Sequence, residues 1–202
     1  MQIISADAAA ALGQDGWTIA TAGFSSSGIP EAVTNAIEQR FLTLGAPRNL
    51  TLVHAAGQGN RTTIGKSGGT GTAHFAHSGM IRRVIGGHWG GSARLAEMAM
   101  AGEIEGYNLP QGVVSQLFRT IAGGKPGLVS PIGLHTFVDP RHGGGRLGEG
   151  GSEALVDLIT LRGHEYLFYA AFPIHCGIIR ATTADMRGNL SAEQETVTQD
   201  ML

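Results

Sequence analysis

One cysteine in 202 residues, Cys176, leaves nothing from which to build an intramolecular disulfide framework, which fits a reducing compartment. Cys176 lies in the apolar run Ile174 to Ile179 and reads as a small buried hydrophobe. Charge is scarce as well. Only 15% of residues are charged and the net charge is −2, so no electrostatic argument favours nucleic acid or an anionic membrane as a partner. No uninterrupted apolar run approaches the ~20 residues that cross a bilayer. The start of the chain, Met1-Gln2-Ile3-Ile4-Ser5-Ala6-Asp7, lacks a basic stretch followed by an apolar core, so it does not read as a secretory signal. These absences lead to the expectation of a soluble, cytoplasmic protein. No internal repeat or linker divides the chain, and residues 1–202 read as a single domain with one sizeable core.

Glycine is abundant where other types are scarce. The 32 glycines gather in clusters, Gly65 to Gly71, Gly86 to Gly91 and Gly143 to Gly151, without the period of collagen. Apolar segments between the clusters argue against disorder. Clustered glycine fits loops that turn sharply or approach a ligand closely, and it equally fits flexible surface loops.

Strand-like and helix-like segments alternate along the chain. Trp17 to Ala22 reads as a strand, and Pro30 then opens a helix over Glu31 to Leu44 whose Val33, Ile37, Phe41 and Leu44 share one face. Asn49 to Ala55 is the next strand, His74 to Gly79 a short helix, and Arg83 to Gly86 another strand. Ser92 can cap a helix running to about Ala101. A strand at 104–107, a helix at 112–122 and a strand at Gly127 to Pro131 follow. A long polar loop covers roughly 133–152. Tyr166 to Phe172 and Gly177 to Thr182 complete the strands, and Asp185 to Asn189 is a turn. Alternation of this kind predicts an α/β fold with an open, mainly parallel sheet and helices on both faces. Ligands in such folds lie beyond the carboxyl ends of the strands. Three loops leave such ends: Gly23 to Gly28, Gly57 to Gly71, and the turn that holds Gln111.

That last turn, Tyr107-Asn108-Leu109-Pro110-Gln111-Gly112, carries the most chemical information. Pro110 fixes its own φ and pushes Leu109 towards an extended conformation, so the turn is stiff. Val113, Leu117 and Ile121 then recur at four-residue spacing. Gln111 therefore opens a helix, where backbone N–H groups are unpaired and the dipole is positive. A side-chain amide held there is able to stabilise an oxyanion. The same residue at the same place can also simply cap the helix. Gly23-Phe24 followed by Ser25-Ser26-Ser27-Gly28-Ile29-Pro30 is a second strand-to-helix turn rich in N–H donors, without the glycine spacing of a dinucleotide fingerprint.

Two other patterns are false leads. Asn60-Arg61-Thr62-Thr63-Ile64-Gly65-Lys66-Ser67 resembles a phosphate-binding loop, but Asn60 stands where the first glycine is needed. After Ser67 come Gly68-Gly69-Thr70-Gly71 instead of a helix to cradle phosphate. His74, His77 and His88 are a conceivable zinc set. No second metal-like pair accompanies them, and Phe75 and Met80 mark a packed segment, so no metal is expected.

Taken together, the segments resemble family I CoA-transferases, in particular the amino-terminal half of the propionate/acetate and 3-oxoacid CoA-transferase group. The matching stretches begin with Ile19-Ala20-Thr21-Ala22-Gly23-Phe24, Gly28-Ile29-Pro30-Glu31 and Pro47-Arg48-Asn49-Leu50-Thr51-Leu52. They continue through Ala55-Ala56-Gly57-Gln58-Gly59, His74-Phe75-Ala76-His77 and Val84-Ile85-Gly86-Gly87-His88-Trp89. The longest are Tyr107 to Arg119 and Gly133 to Arg141, and Arg180 to Asp185, Gly188-Asn189 and Glu193 close the series. The resemblance spans essentially the whole chain in family order, although the loop 60–71 is longer than the family pattern.

The resemblance implies a CoA-transferase-like fold and a reaction that moves CoA between a short-chain acyl-CoA and a small carboxylate through a glutamyl–CoA intermediate. Coenzyme A is then a substrate, and no cofactor is implied. Gln111 becomes the oxyanion donor, while Gly23, Phe24, Gly28, Asn108 and Gly112 become the substrate- and CoA-binding positions. The resemblance places the family's nucleophilic glutamate in a carboxy-terminal half, in a glutamate-x-glycine context beyond residues 1–202. Glu149-Gly150-Gly151 and Glu153 sit instead in the polar-loop region of the first half, and Glu149 is a poor substitute. The implied partner is a carboxy-terminal half, on a separate β-type chain or on a longer polypeptide, and the implied assembly is an oligomer. This chain alone is expected to be inactive. Rival readings are a non-catalytic acyl-CoA-binding or scaffold subunit, and a related acyl-CoA hydrolase.

Overall fold

Leu50-Thr51-Leu52-Val53-His54 is buried at every position, the signature of a strand covered on both faces. The computed structural model describes residues 2–59 and 69–195. In it this strand, β2 (Leu50–His54), lies inside a six-stranded sheet. Its parallel neighbours are β1 (Thr18–Thr21) and β3 (Ile81–Gly86), followed by β4 (Glu105–Asn108). The short β9 (Cys176–Ile178) adds to β1 in parallel, and β6 (Arg146–Leu147) closes the other edge antiparallel to β4. The sheet order is β6-β4-β3-β2-β1-β9.

The period-2 alternation of these strands sorts their side chains onto two cores. One face carries Ile19, Leu50, Leu52 and Val84, packed with Ala10 of α1 (Ala6–Ala10), Ile37 of α2 (Glu31–Leu44) and Leu95 of α3 (Ala93–Met100). The other carries Ala20, Val53, Ile85 and Tyr107, packed with Val113 and Leu117 of α4 (Gln111–Ala122). Helices cover both faces, as the alternation predicts. Local signals hold these helices in place. Gly45 ends α2 in the left-handed conformation, with its N–H on Phe41 O (2.7 Å). Ser92 Oγ accepts the Leu95 N–H at the start of α3 (3.4 Å). Leu44, expected on the buried face of α2, instead points to solvent in its last turn. None of the described helices is long and apolar enough to cross a membrane.

The main correction concerns the second core. Two expected strands, β5 (Gly127–Ser130) and β8 (His164–Ala170), do not join the parallel sheet. With β7 (Val156–Leu161) they form a separate antiparallel sheet in the order β5-β8-β7. Leu167 and Tyr169 of β8 pack into the second core beside α4, so this small sheet shares that face with the helix. Strand β7 has no counterpart in the sequence reading. It joins β8 through Arg162-Gly163, both at positive φ (52° and 84°), the mirror-image turn that matches strand twist. The segment at His74 is a 3₁₀ turn over Gly71–Phe75, and β9 is shorter than the strand expected at Gly177 to Thr182. Thr183–Ala184 and Leu190–Ser191 pair across the Asp185–Asn189 turn as β10 and β11. Cys176 is half-buried, and burial pushes its thiol pKa up.

The polar loop after β5 is ordered by one buried acid. The Asp139 carboxylate accepts from the Arg141 guanidinium (2.7 and 2.9 Å) and from the N–H groups of His135 (2.9 Å) and Arg141 (3.0 Å). Arg141 also reaches Glu165 on β8 (3.2 Å). These bonds, the Arg141 side chain first, hold the Asp139 carboxyl well below the usual carboxylate range. The loop is tied in turn to the exit of β4, where Asn108 N–H donates to Gly145 O (2.6 Å). Because the folded pKa lies below the unfolded one, ionised Asp139 favours the fold above pH ~4, and that contribution is lost as pH falls below it. Asp139→Asn is therefore expected to lower the urea midpoint at pH 7, with the gap to wild type narrowing at pH 3. Equal midpoints at pH 7 contradict this role.

Candidate active site

Three backbone segments leaving the carboxyl ends of β1, β2 and β3 meet above the start of α4. After β1, Phe24 and Ser27 exchange two N–H···O bonds (2.9 Å each) across a tight turn. Gly23 at φ 128° and Gly28 at φ 66° bracket that turn, and a Cβ on Gly23 would stand 3.1 Å from Gly28 O. The turn is clipped to the loop after β2: Ser25 N–H donates to Gly57 O (2.7 Å) and Gly59 N–H to Ser25 O (2.8 Å). The loop after β3 crosses beneath. A Cβ on Gly91 would meet Gln58 O at 2.5 Å, and one on Gly59 would meet Gly91 O at 2.9 Å. Glycine is needed here because backbone packs directly on backbone.

Buried polar groups fix these crossings. Gln58 is fully buried, and its Nε2 donates to Thr21 O (2.8 Å) while its backbone carbonyl accepts from Thr72 Oγ1 (3.0 Å). The 3₁₀ turn that carries Thr72 is held to α2 by ionic hydrogen bonds. His74 Nδ1 lies 2.6 Å from Glu38 and Nε2 lies 2.9 Å from Glu31, while His77 Nε2 meets Glu38 at 2.7 Å. This is the structural use of two of the three histidines weighed as metal ligands; His88 stands apart from them, in the cleft. Among the described residues no group of three or more His, Cys, Asp and Glu is placed to hold a metal ion. The phosphate-loop-like stretch Asn60 to Ser67 lies outside the described residues.

The crossings enclose a cleft of about 340 Å³. Phe24 and Ser25 form one wall, Gly57 and Gly59 the next, His88, Gly90 and Gly91 the third, and Gln111 the last. Gln111 is the first residue of α4, whose N-cap Pro110 makes no side-chain cap bond. Among the described residues no hydrogen bond engages the Gln111 amide. It projects at the cleft uncommitted, and the capping alternative does not apply. Its seat is Gly87: a Cβ there would lie 2.7 Å from Gln111 Cα and would collide with Ala55 O.

The other expected binding positions divide. Phe24, 52% exposed, lines the cleft, and Gly23 and Gly28 shape the turn behind it without lining it. Asn108 ends β4 with its N–H committed to Gly145 O and does not line the cleft. Gly112 faces open space one residue into α4 and does not line it either. Glu149 is exposed between Gly148, which packs on Ala99, and Gly150, which packs on Ile104. That is the entry end of β4, away from Gln111. Glu153 is bonded to Arg83 (2.6 Å), as is Glu105 (2.6 Å). No Asp or Glu is among the described residues that line the cleft.

Two histidines stand near the cleft and are not among the expected site residues, and of these only His88 lines it. His88 was weighed only for metal, although Gly86-Gly87-His88-Trp89-Gly90-Gly91, a histidine between two glycine pairs after a strand, was a usable signal. Its ring fits between Gly57 and Gly90, and its Nδ1 accepts the Gly90 N–H (3.2 Å). His54, at the end of β2, is buried and bonds Ala56 O through Nδ1 (2.9 Å). Burial pushes the His54 pKa down to about 4; the Ala56 bond opposes this and His88 adds slightly to it.

A sequence model of the family described as coenzyme A transferase matches residues 3–200, and the chain belongs to that family. The caffeate CoA-transferase of Acetobacterium woodii is 37% identical over 96% of this chain and 36% of its own length. The acetate CoA-transferase YdiF of Escherichia coli K12 is 39% identical over 87% of this chain and 32% of its own length. A crystal structure of the acyl-CoA transferase YdiF of E. coli O157:H7, in a thioester complex with CoA, superposes with a TM-score of 0.89 at 34% identity. It covers 95% of this chain and 36% of that one. The chain thus spans about a third of the length of these relatives. Glutaconate coenzyme A-transferase of Acidaminococcus fermentans, at 16% identity and a TM-score of 0.69, shares the fold.

The His54 environment yields a direct check. Its folded pKa lies below the ordinary 6.5, so its contribution to stability is complete above 6.5 and declines as pH falls towards 4. An NMR titration of the histidines is expected to show the His54 ring neutral down to about pH 4. A midpoint near 6.5 contradicts the buried neutral ring.

Proposed function

We propose that this chain is the amino-terminal half of a CoA-transferase that moves CoA between a short-chain acyl-CoA and a small carboxylate. The nucleophile is a glutamate of a carboxy-terminal half. One observation carries the reading: the cleft at the strand ends presents an uncommitted amide, Gln111, and no carboxylate among its described lining residues. It has a stabiliser of negative charge and, among the described lining residues, no carboxylate to attack with. The printed descriptions of the relatives, caffeate and acetate CoA-transferases, support the reaction class. The α subunit of acetate CoA-transferase from E. coli K12, 28% identical over 69% of its length, supports the division into halves.

The chemistry proceeds by acyl transfer. The glutamate oxygen attacks the thioester carbonyl, the C–S bond breaks, and CoA leaves as thiolate from a glutamyl–acyl anhydride. The thiolate attacks the glutamyl carbonyl and expels the first carboxylate, leaving a glutamyl–CoA thioester. The acceptor carboxylate then runs both steps in reverse. Each addition places negative charge on a carbonyl oxygen, and Gln111 Nε2–H donates to that oxygen. Phe24 supplies apolar contact for the acyl group. In the enzyme containing both halves, Gln111→Ala is expected to lower kcat by about 10²–10³ with a small change in KM for acyl-CoA. Unchanged kcat removes Gln111 from the reaction. Release of free CoA without any acceptor carboxylate, in the wild type, points instead to a hydrolase.

A further inference from the structure

His88 lines the cleft and has no part in the chemistry above. Its position is built with care. A side chain on Gly57 would collide with its Nδ1, and a Cβ on Gly90 would stand 2.6 Å from its Cε1, so the ring occupies a slot cut by two glycines. Inside the slot, Nδ1 accepts the Gly90 N–H. A neutral ring with Nδ1 as acceptor carries its proton on Nε2. Among the described residues no partner takes that Nε2–H. His88, exposed at the cleft, is therefore a donor oriented by the Gly90 bond, with no partner among the described residues, in the same cleft as Gln111.

We propose that His88 binds the carboxylate group of the small acid substrate, donating Nε2–H to one of its oxygens. This rests on the transferase reading and names the residue that recognises the acid. A carboxylate entering the cleft meets no acidic side chain among the described lining residues, so nothing there repels it. Phe24, half exposed at the same wall as Ser25, gives the hydrocarbon part of the acid an apolar contact. His88 also follows Gly87, the residue on which Gln111 is seated. One short piece of backbone thus carries the group that holds the acid and supports the group that holds the oxyanion.

The test is steady-state exchange in the enzyme containing both halves, with acetyl-CoA and propionate as probes. Three variants are compared: His88→Ala, His88→Phe, which fills the slot without a donor, and His88→Gln, whose amide nitrogen reaches the place of Nε2. Ala and Phe are expected to raise KM for propionate about 10- to 100-fold, the loss of one hydrogen bond to a charged group. KM for acetyl-CoA stays within about twofold, and Gln restores most of the propionate affinity. If the Ala variant does not fold, the Phe and Gln pair decides. An unchanged propionate KM in the Phe variant, or equal rises in both KM values, overturns the assignment. A wild type that exchanges no label overturns the transferase reading itself; a wild type that exchanges label while the variants keep their propionate KM overturns only the role of His88.

Discussion

Direct contact between backbones at the strand exits is the constraint on which the rest of this structure depends. Gly59 under Gly91, Gly91 on Gln58 and Gly87 under Gln111 bring three chain segments closer than any side chain would allow. Loops packed backbone to backbone need partners for their buried polar groups. Gln58 and Thr72 supply them, and the Glu31–His74–Glu38–His77 network anchors the turn from the other side. The abundance of glycine and the scarcity of charge in the sequence are two aspects of this arrangement. A site made of backbone needs few charged side chains, and the few that are buried are paired.

The two cores then determine what each wall of the cleft can do. α4 is pressed onto the sheet by Val113, Val114 and Leu117, all fully buried, so its first residue is not free to drift. Pro110 and Gly87 set where that residue begins. The result is an exposed amide with no hydrogen-bond partner among the described residues, which leaves its donors for a ligand. The Phe24 turn is the opposite case: it is held by hydrogen bonds to the neighbouring loop and leaves its ring half exposed.

Much of this was legible in the sequence, for reasons that can be named. Strands such as Leu50–His54 read as short segments rich in Leu and Val, and α2 announced itself through Pro30 and its apolar stripe. The periodicity stops short of saying which sheet a strand joins. β5 and β8 have the composition of core strands, and only the pairing of β8 with both β5 and β7 places them in a separate layer. β7 escaped because Asp157 and Thr160 interrupt its apolar pattern and its turn, Arg162-Gly163, lacks the usual Asn or Asp before glycine. At the site, Gln111 and Phe24 reach the cleft, whereas Asn108 and Gly112, adjacent in sequence, do not. A motif names a stretch of chain, and the direction each Cα presents decides which residues of it face the ligand. His88 was visible only as one of three histidines until the slot between Gly57 and Gly90 gave it an orientation.

The central claim is a division of labour: this chain holds the substrate and stabilises the oxyanion, while the attacking carboxylate comes from a carboxy-terminal half. Peptide mapping by mass spectrometry, after the enzyme containing both halves is incubated with acyl-CoA and quenched, tests this most directly. The account predicts a CoA thioester on a glutamate outside residues 1–202, with every Asp and Glu of this chain unmodified. A CoA adduct on Glu149, or on any other carboxylate within residues 1–202, contradicts it.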